Sequence, residues 1–196
     1  GTSGSGKSTL LNMMAGLESP TKGEIIIKGI PIQNLNEEKL VRFRRKFVGF
    51  IFQSYQLIQT QTAIENIAFP LSFRGIRKKE RMRQAEKILK EMSLEKHRKH
   101  LPSQMSGGQQ QRVGVARALV MEPKIIFADE PTGNLDTKTS EDIMELMKKN
   151  IEGTERCLVM VTHDDTLASY ADRIIKIKDG KIISIEVKNT KEKERR

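Results

Sequence analysis

Apolar positions along the chain change period several times, and each change marks an element. Behind the glycine- and serine-rich stretch Gly1 to Thr9, residues Leu10, Leu11, Met13, Met14 and Leu17 recur at helical spacing. Glu24-Ile25-Ile26-Ile27-Lys28-Gly29 predicts a short β-branched strand closed by glycine. Leu40 to Lys46 predicts a basic helix, and Phe47-Val48-Gly49-Phe50-Ile51-Phe52 a second strand that ends at Gln53. From about Ala63 to His100 the pattern is helical and charged, with Ala85, Ile88, Leu89 and Met92 forming one apolar stripe. Ser106 caps a helix carrying Val113, Val115, Ala116, Ala118 and Leu119. Strands at Lys124–Ala128, Cys157–Val161 and Arg173–Lys178 then alternate with helices near Thr139–Asn150 and Asp165–Tyr170. Asp179-Gly180 is a hairpin signal leading into Lys181–Val187. This alternation predicts an α/β fold with a mostly parallel sheet and right-handed crossovers.

Composition narrows the class. At 196 residues and 37% hydrophobic content the chain suits one domain with a sizeable core, and collagen-like, mucin-like or wholly disordered classes are excluded. No apolar run approaches the roughly 18–20 residues of a membrane-spanning helix. No basic-then-apolar leader is present. The single cysteine, Cys157, sits in an apolar run and reads as core packing in a reducing compartment. A cytosolic protein is expected.

Three motifs carry chemistry. Gly1-Thr2-Ser3-Gly4-Ser5-Gly6-Lys7-Ser8 fits the phosphate-binding P-loop, in which glycines let backbone N–H groups turn inward onto phosphate. Lys7 would reach the β- and γ-phosphates, and the Ser8 hydroxyl would ligate Mg²⁺. A flexible Gly/Ser linker is the plain alternative, but an apolar helical run starts directly behind the segment. The strand Ile125 to Ala128 ends in Asp129 and Glu130. Asp129 suits Mg²⁺, and Glu130 suits a general base that polarises an attacking water. Ser106-Gly107-Gly108-Gln109 opens a helix with a serine cap and two glycines, a second anion site without a lysine. One P-loop with two phosphate-binding helix ends invites a dimer in which each γ-phosphate meets both kinds of site.

With these residues the chain resembles the nucleotide-binding subunit of ABC transporters. The family signature reads here as Met105-Ser106-Gly107-Gly108-Gln109, with methionine in place of the usual leucine. Gln53 matches the Q-loop glutamine, Asn134-Leu135-Asp136 the D-loop, and Val161-Thr162-His163-Asp164 the H-loop. The resemblance implies a P-loop ATPase core of residues 1–62 and 121–187, an inserted helical subdomain at 63–120 bearing the signature, and a tail at 188–196. Glu130, His163 and Gln53 are the implied catalytic residues. Gly1, Ser3, Gly4, Gly6, Lys7, Ser8, Thr9, Ser106, Gly107, Gly108, Gln109 and Asp136 are the implied ATP-binding residues, and Ser8, Gln53 and Asp129 the implied Mg²⁺ ligands. It further implies a homodimer clasping two ATP molecules head to tail, a transmembrane permease as partner, and residence on the cytoplasmic face of the membrane. Glu130-Pro131-Thr132-Gly133-Asn134-Leu135-Asp136 is similar to the lipoprotein-release, macrolide-export and cell-division branch. Family members carry residues before the P-loop, including the strand that feeds it, so a core without its first strands is expected.

The formal net charge is +10. Residues 74–100 contribute +7 and residues 188–196 the remaining +3, so the rest is neutral overall. A soluble relative acting on nucleic acid or ribosomes would suit such a charge. DNA-repair relatives, however, interrupt the cassette with long coiled coils, and translation-factor relatives carry two cassettes. Neither pattern fits, and no nucleic-acid partner is expected. Segment 74–100 reads first as a solvated helical face, with attraction to anionic lipid as the sharper option, and the tail as disordered.

Overall fold

The structure, a computed structural model, describes residues 4–188. The P-loop positions Gly1 and Ser3, and all of the expected tail beyond Lys188, lie outside the described residues. The elements are α1 (Lys7–Met14), β1 (Ile26–Ile27), β2 (Ile30–Pro31), α2 (Glu37–Phe47), β3 (Val48–Ile51), α3 (Ala63–Ser72), α4 (Lys78–Glu91), α5 (Gly107–Leu119), β4 (Ile125–Asp129), α6 (Thr137–Ile151), β5 (Cys157–Val161), α7 (Asp165–Ala168), β6 (Arg173–Lys178) and β7 (Lys181–Val187).

A parallel sheet in the order β3-β4-β5 lies at the centre. The middle strand is buried on both faces, which explains its unbroken apolar sequence. Phe127 points to one side, where it meets Leu11, Ala15, Ile27, Ile32, Phe43 and Val161. Ile126 and Ala128 point to the other, where they join Ile51 in a larger cluster with the buried faces of α3, α4, α5 and α6. The α4 stripe behaves as its spacing predicts: Ala85, Leu89 and Met92 are fully buried. Helices α3, α4 and α5 pack on one another.

Three expectations need correction. Arg173–Lys178 does not join the parallel sheet; it pairs antiparallel with β7 in a separate two-stranded sheet, through the hairpin that Asp179-Gly180 signals. The apolar run at Glu24–Gly29 contributes only Ile26–Ile27 as strand, because Gly29 turns the chain at once into β2. Cys157 is exposed rather than packed in the core, because it begins β5, the edge strand of the described sheet.

One glycine in β3 is fixed by packing. A Cβ at Gly49 would stand 2.7 Å from the Ala118 carbonyl oxygen and 3.0 Å from Pro123 Cγ, since the last turn of α5 lies directly on the strand. Backbone cannot retreat as a side-chain tip can. Gly49→Ala is therefore expected to cost about 2 kcal/mol of unfolding free energy. Urea denaturation of the two proteins checks this, with an unchanged midpoint counting against the close approach.

Candidate functional site

Strand register brings the predicted residues together. Ile51 pairs with Ala128, and Asp129 with Val161, so all three strands finish at one level. The residues just beyond them are Gln53, Glu130 and His163, at the carboxyl end of a parallel sheet where ligands gather in such folds. The Glu130 backbone N–H donates to the Val161 carbonyl at 2.9 Å, extending the ladder by one rung and bringing Glu130 beside the turn that carries His163.

The P-loop lies at this same end. Gly4 and Gly6 have φ of +78° and +85°, conformations that a Cβ disfavours, and Ser5 between them is buried. Such alternation aims successive N–H groups into one concavity, at the positive end of α1. Lys7 opens that helix, and its Nζ donates to Ser5 Oγ at 3.3 Å. Thr9 is exposed in the first turn. The Ser8 hydroxyl donates to Asp129 Oδ1 at 2.9 Å. A hydroxyl and a carboxylate thus converge beside the phosphate cradle, a hard-oxygen pair that fits Mg²⁺, which commonly takes one or two protein oxygens plus phosphate and water.

Glu130 is held under strain. Its φ of +42° is costly for a residue with a side chain. His163 Nδ1 lies 2.9 Å from Glu130 Oε1. On the other side, a Cβ at Gly133 would stand 2.8 Å from Gln53 Nε2 and 3.3 Å from Glu130 Oε2. The missing side chain at Gly133 is what lets the amide and the carboxylate share this space. Asn134 Nδ2 donates to the Gln53 carbonyl at 3.2 Å. Gln111, fully buried in α5, donates to the Pro131 carbonyl and so ties the turn behind Glu130 to the signature helix.

The loop after Gln53 is also tied to that helix. Tyr55 and Gln56 both have positive φ, +59° and +46°. Their carbonyls accept hydrogen bonds from Arg117 of α5, at 2.8 Å and 2.5 Å. Burial pushes the Arg117 guanidinium below its ordinary pKa and the Tyr55 phenol above its own.

At the signature, Ser106 Oγ accepts the Gln109 backbone N–H at 3.3 Å, and Gln109 Oε1 accepts the Ser106 N–H at 3.0 Å, a reciprocal cap. The two glycines have packing reasons within the chain. A Cβ at Gly107 would meet the Tyr55 hydroxyl at 2.8 Å, and one at Gly108 the Thr139 methyl at 2.6 Å. Asp136 caps α6 through the Thr139 N–H at 3.0 Å and hydroxyl at 2.6 Å, and these bonds hold its carboxyl below the usual range. Ser106 to Gln109, Asn134 to Asp136 and Thr139 line a hollow of ≈530 Å³. None of the described P-loop residues lines it.

The sequence supplied Lys7, Ser8, Asp129 and Glu130 from their pattern and Gln53 and His163 through the family resemblance, and the structure brings all six to one end of the sheet. It missed Gly133, Gln111, Arg117 and Tyr55 as supports. Only the sharp Gly-Asn turn at Gly133 offered a local signal, since the others depend on helix-to-loop contacts without sequence periodicity.

Comparison with known proteins shows the family and covers most of the chain. Residues 1–133 match the ABC transporter family. The ABC transporter ATP-binding protein YtrE of Bacillus subtilis is 46% identical over 190 residues, covering 95% of this chain and 82% of that protein. The macrolide export ATP-binding/permease protein MacB of Vibrio parahaemolyticus is 44% identical over 184 residues, covering 94% of this chain but 28% of that larger protein. Among solved structures, the dimeric post-hydrolysis state of the Methanocaldococcus jannaschii ATP-binding cassette MJ0796, bound to ADP and Pi, superposes with a TM-score of 0.87. It is 45% identical and covers 95% of this chain and 82% of that one. With the P-loop, the paired carboxylates and the capped signature helix in this arrangement, the chain belongs to the ABC transporter family, whose ATP-binding cassette it carries.

Proposed function

We propose that the protein is the ATP-hydrolysing subunit that powers a membrane permease of the export or extraction type, acting on a lipoprotein, peptide or drug-like substrate, through ATP-driven pairing of two copies. One observation carries this. Register and P-loop bring Ser8, Gln53, Asp129, Glu130 and His163 to one end of the sheet, while the signature cap opens into a hollow that the described P-loop residues do not reach. A second chain, set head to tail, would bring its γ-phosphate to that cap.

Within each site, the P-loop amides, the α1 dipole and Lys7 bind and orient the triphosphate. Ser8, Asp129 and Gln53 would hold Mg²⁺, which when bound neutralises charge on the β- and γ-phosphates. Glu130 accepts a proton from the water aimed at the γ-phosphate. His163, bonded to Glu130 Oε1, fixes the carboxylate so that Oε2 is left for that water, and its other ring nitrogen is available to the γ-phosphate. Ser106 and the Gly107 and Gly108 amides stabilise the same phosphate from the opposite copy, with Gln109 holding the Ser106 cap, and Asp136 positions the loop between the sites.

Communication with the permease has a physical route. A groove of ≈480 Å³ between α2, β3, α3 and α5 is lined by Arg44, Arg45, Phe50 and Phe73, with Arg117 at its edge. Phe73 and Val41 there are exposed. An apolar cytosolic segment of the permease seated in this groove would press on Arg117, and so on the Tyr55 and Gln56 carbonyls that shape the Gln53 loop. Among the described residues no helix is long and apolar enough to cross a membrane. In this reading the permease holds the protein at the cytoplasmic face of the membrane.

Reconstitution with the permease in vesicles tests this reading. ATP turnover is expected to rise when the permease is present, and Arg117→Ala to lose several-fold of that stimulation while its ATP affinity holds. Turnover indifferent to the permease, together with tight nucleic-acid binding at physiological salt, would favour a soluble ATPase acting on nucleic acid or ribosomes instead.

A further inference from the structure

Two histidines between α4 and α5 have no part in the site so far. His97 ends a short 3₁₀ turn, and its ring stands edge-on to His100 with centroids 5.1 Å apart. Both rings are half-buried, and the Nδ1 atom of each is sealed from solvent without a hydrogen-bond partner. His97 Nε2 lies 3.1 Å from Gln109 Nε2. The orientation of the Gln109 amide is already fixed, because its Oε1 accepts the Ser106 N–H in the signature cap. Its NH₂ must face the imidazole and donate. His97 Nε2 is then an acceptor, and the neutral ring carries its one proton on Nδ1. A proton on Nε2 would set donor against donor. The amide would have to turn, presenting its NH₂ to the Ser106 N–H, and half of the cap would be lost.

We propose that His97 is a positioning residue for the signature serine: uncharged, its Nε2 locks the Gln109 amide and thereby the Ser106 cap, and protonation releases that cap. The consequence for catalysis rests on the reading that Ser106 meets the nucleotide of a second copy. The charged groups around His97 are Arg112 of α5, with Asp136 and Asp142 at the start of α6, which line the same hollow. Beyond them stand His100 and the Arg98–Glu86 ion pair at 3.0 Å. Arg112 is engaged with the Met92 carbonyl at 3.3 Å and with Asp142 at 3.8 Å. None of these groups hydrogen-bonds His97, so the Gln109 amide is the group that responds to its charge.

Imidazole is the side chain that ordinarily changes charge near neutral pH, and the test spans that region. The full chain carrying Glu130→Gln, which arrests turnover, is followed by sedimentation with ATP from about pH 7.5 to 5.5. Dimerisation is expected to weaken about fivefold on acidification, the order of one lost helix-cap bond. His97→Gln places an uncharged amide oxygen near the same position. It should dimerise normally at pH 7.5 and lose the extra acid weakening, whereas His97→Phe should be about fivefold weaker already at pH 7.5. All three share every titratable group other than residue 97, so the difference belongs to His97. An acid response identical in His97→Gln would overturn the proposal.

Hydrogen exchange at the Ser106 amide in the ATP-free chain reads the same relay without a dimer. His97→Phe should lower its protection factor, and unchanged protection would overturn the relay. Lowered protection in a chain that ATP never dimerises would leave the relay standing and remove the two-copy reading instead.

Discussion

Glu130→Gln is expected to cut ATP turnover by about 10³-fold while ATP still binds, and to leave ATP-bound dimers that persist. Glutamine matches glutamate in shape, so the strained backbone at φ +42° and the bond from the Glu130 N–H to Val161 survive. His163 Nδ1 can still donate to an amide oxygen in the position of Oε1, 2.9 Å away. The variant loses only the capacity to take a proton from water. It also removes one negative charge from a site that must hold a triphosphate, so binding is eased as chemistry stops. Phosphate release under single-turnover conditions and sedimentation with ATP check the two halves separately. Steady-state hydrolysis equal to that of the native chain would remove Glu130 as the base and shift attention to His163.

How much of this was legible beforehand depends on what each feature requires. Period marked α4, which buries a clean stripe of Ala85, Leu89 and Met92, and β4, whose two buried faces demand an unbroken apolar run. It misassigned Arg173–Lys178, since a short run mixing Ile and Lys can be an edge strand of a parallel sheet or a hairpin arm, and only hydrogen-bond partners decide between them. At the site, residues with their own chemistry could be named from the chain: Lys7, Ser8, Asp129 and Glu130. Gln53 could be named only through resemblance, as an isolated loop glutamine has no intrinsic signature. Gly107 and Gly108 were read as an anion site, yet in the folded chain they also make room for Tyr55 and Thr139. Both demands fall on the same two residues, so substitution there would disturb packing and phosphate contact together. The supports at Gln111, Arg117 and His97 were invisible, because an inward-facing polar side chain is explained by its partner, and partners 20, 61 or 12 residues away are joined only by folding.

The second large effect is expected at the phosphate cradle, where Lys7→Ala should weaken ATP binding on the order of 100-fold, the cost of losing a charge-assisted contact to polyphosphate. Folding should not suffer. Lys7 is the first residue of an eight-residue helix whose packing rests on Leu11, and alanine is the most favourable helix residue. The left-handed turns at Gly4 and Gly6 remain, so the inward N–H groups are still in place, and residual binding will come from them and the helix dipole. Thermal unfolding makes the distinction quantitative. ATP at 100 times the native dissociation constant stabilises the native chain by about 2.7 kcal/mol, and a site weakened 100-fold by only about 0.4 kcal/mol. The variant should therefore melt with the native protein when ATP is absent and well below it when ATP is present. Titration with a fluorescent ATP analogue gives the affinity directly. If affinity is native and the ATP-induced rise in melting temperature is retained, Lys7 does not contact the phosphates. If melting without ATP already falls, the bond from Lys7 to Ser5 supports the loop itself, and Lys7→Arg, which keeps the charge and a donor, would separate that support from phosphate binding.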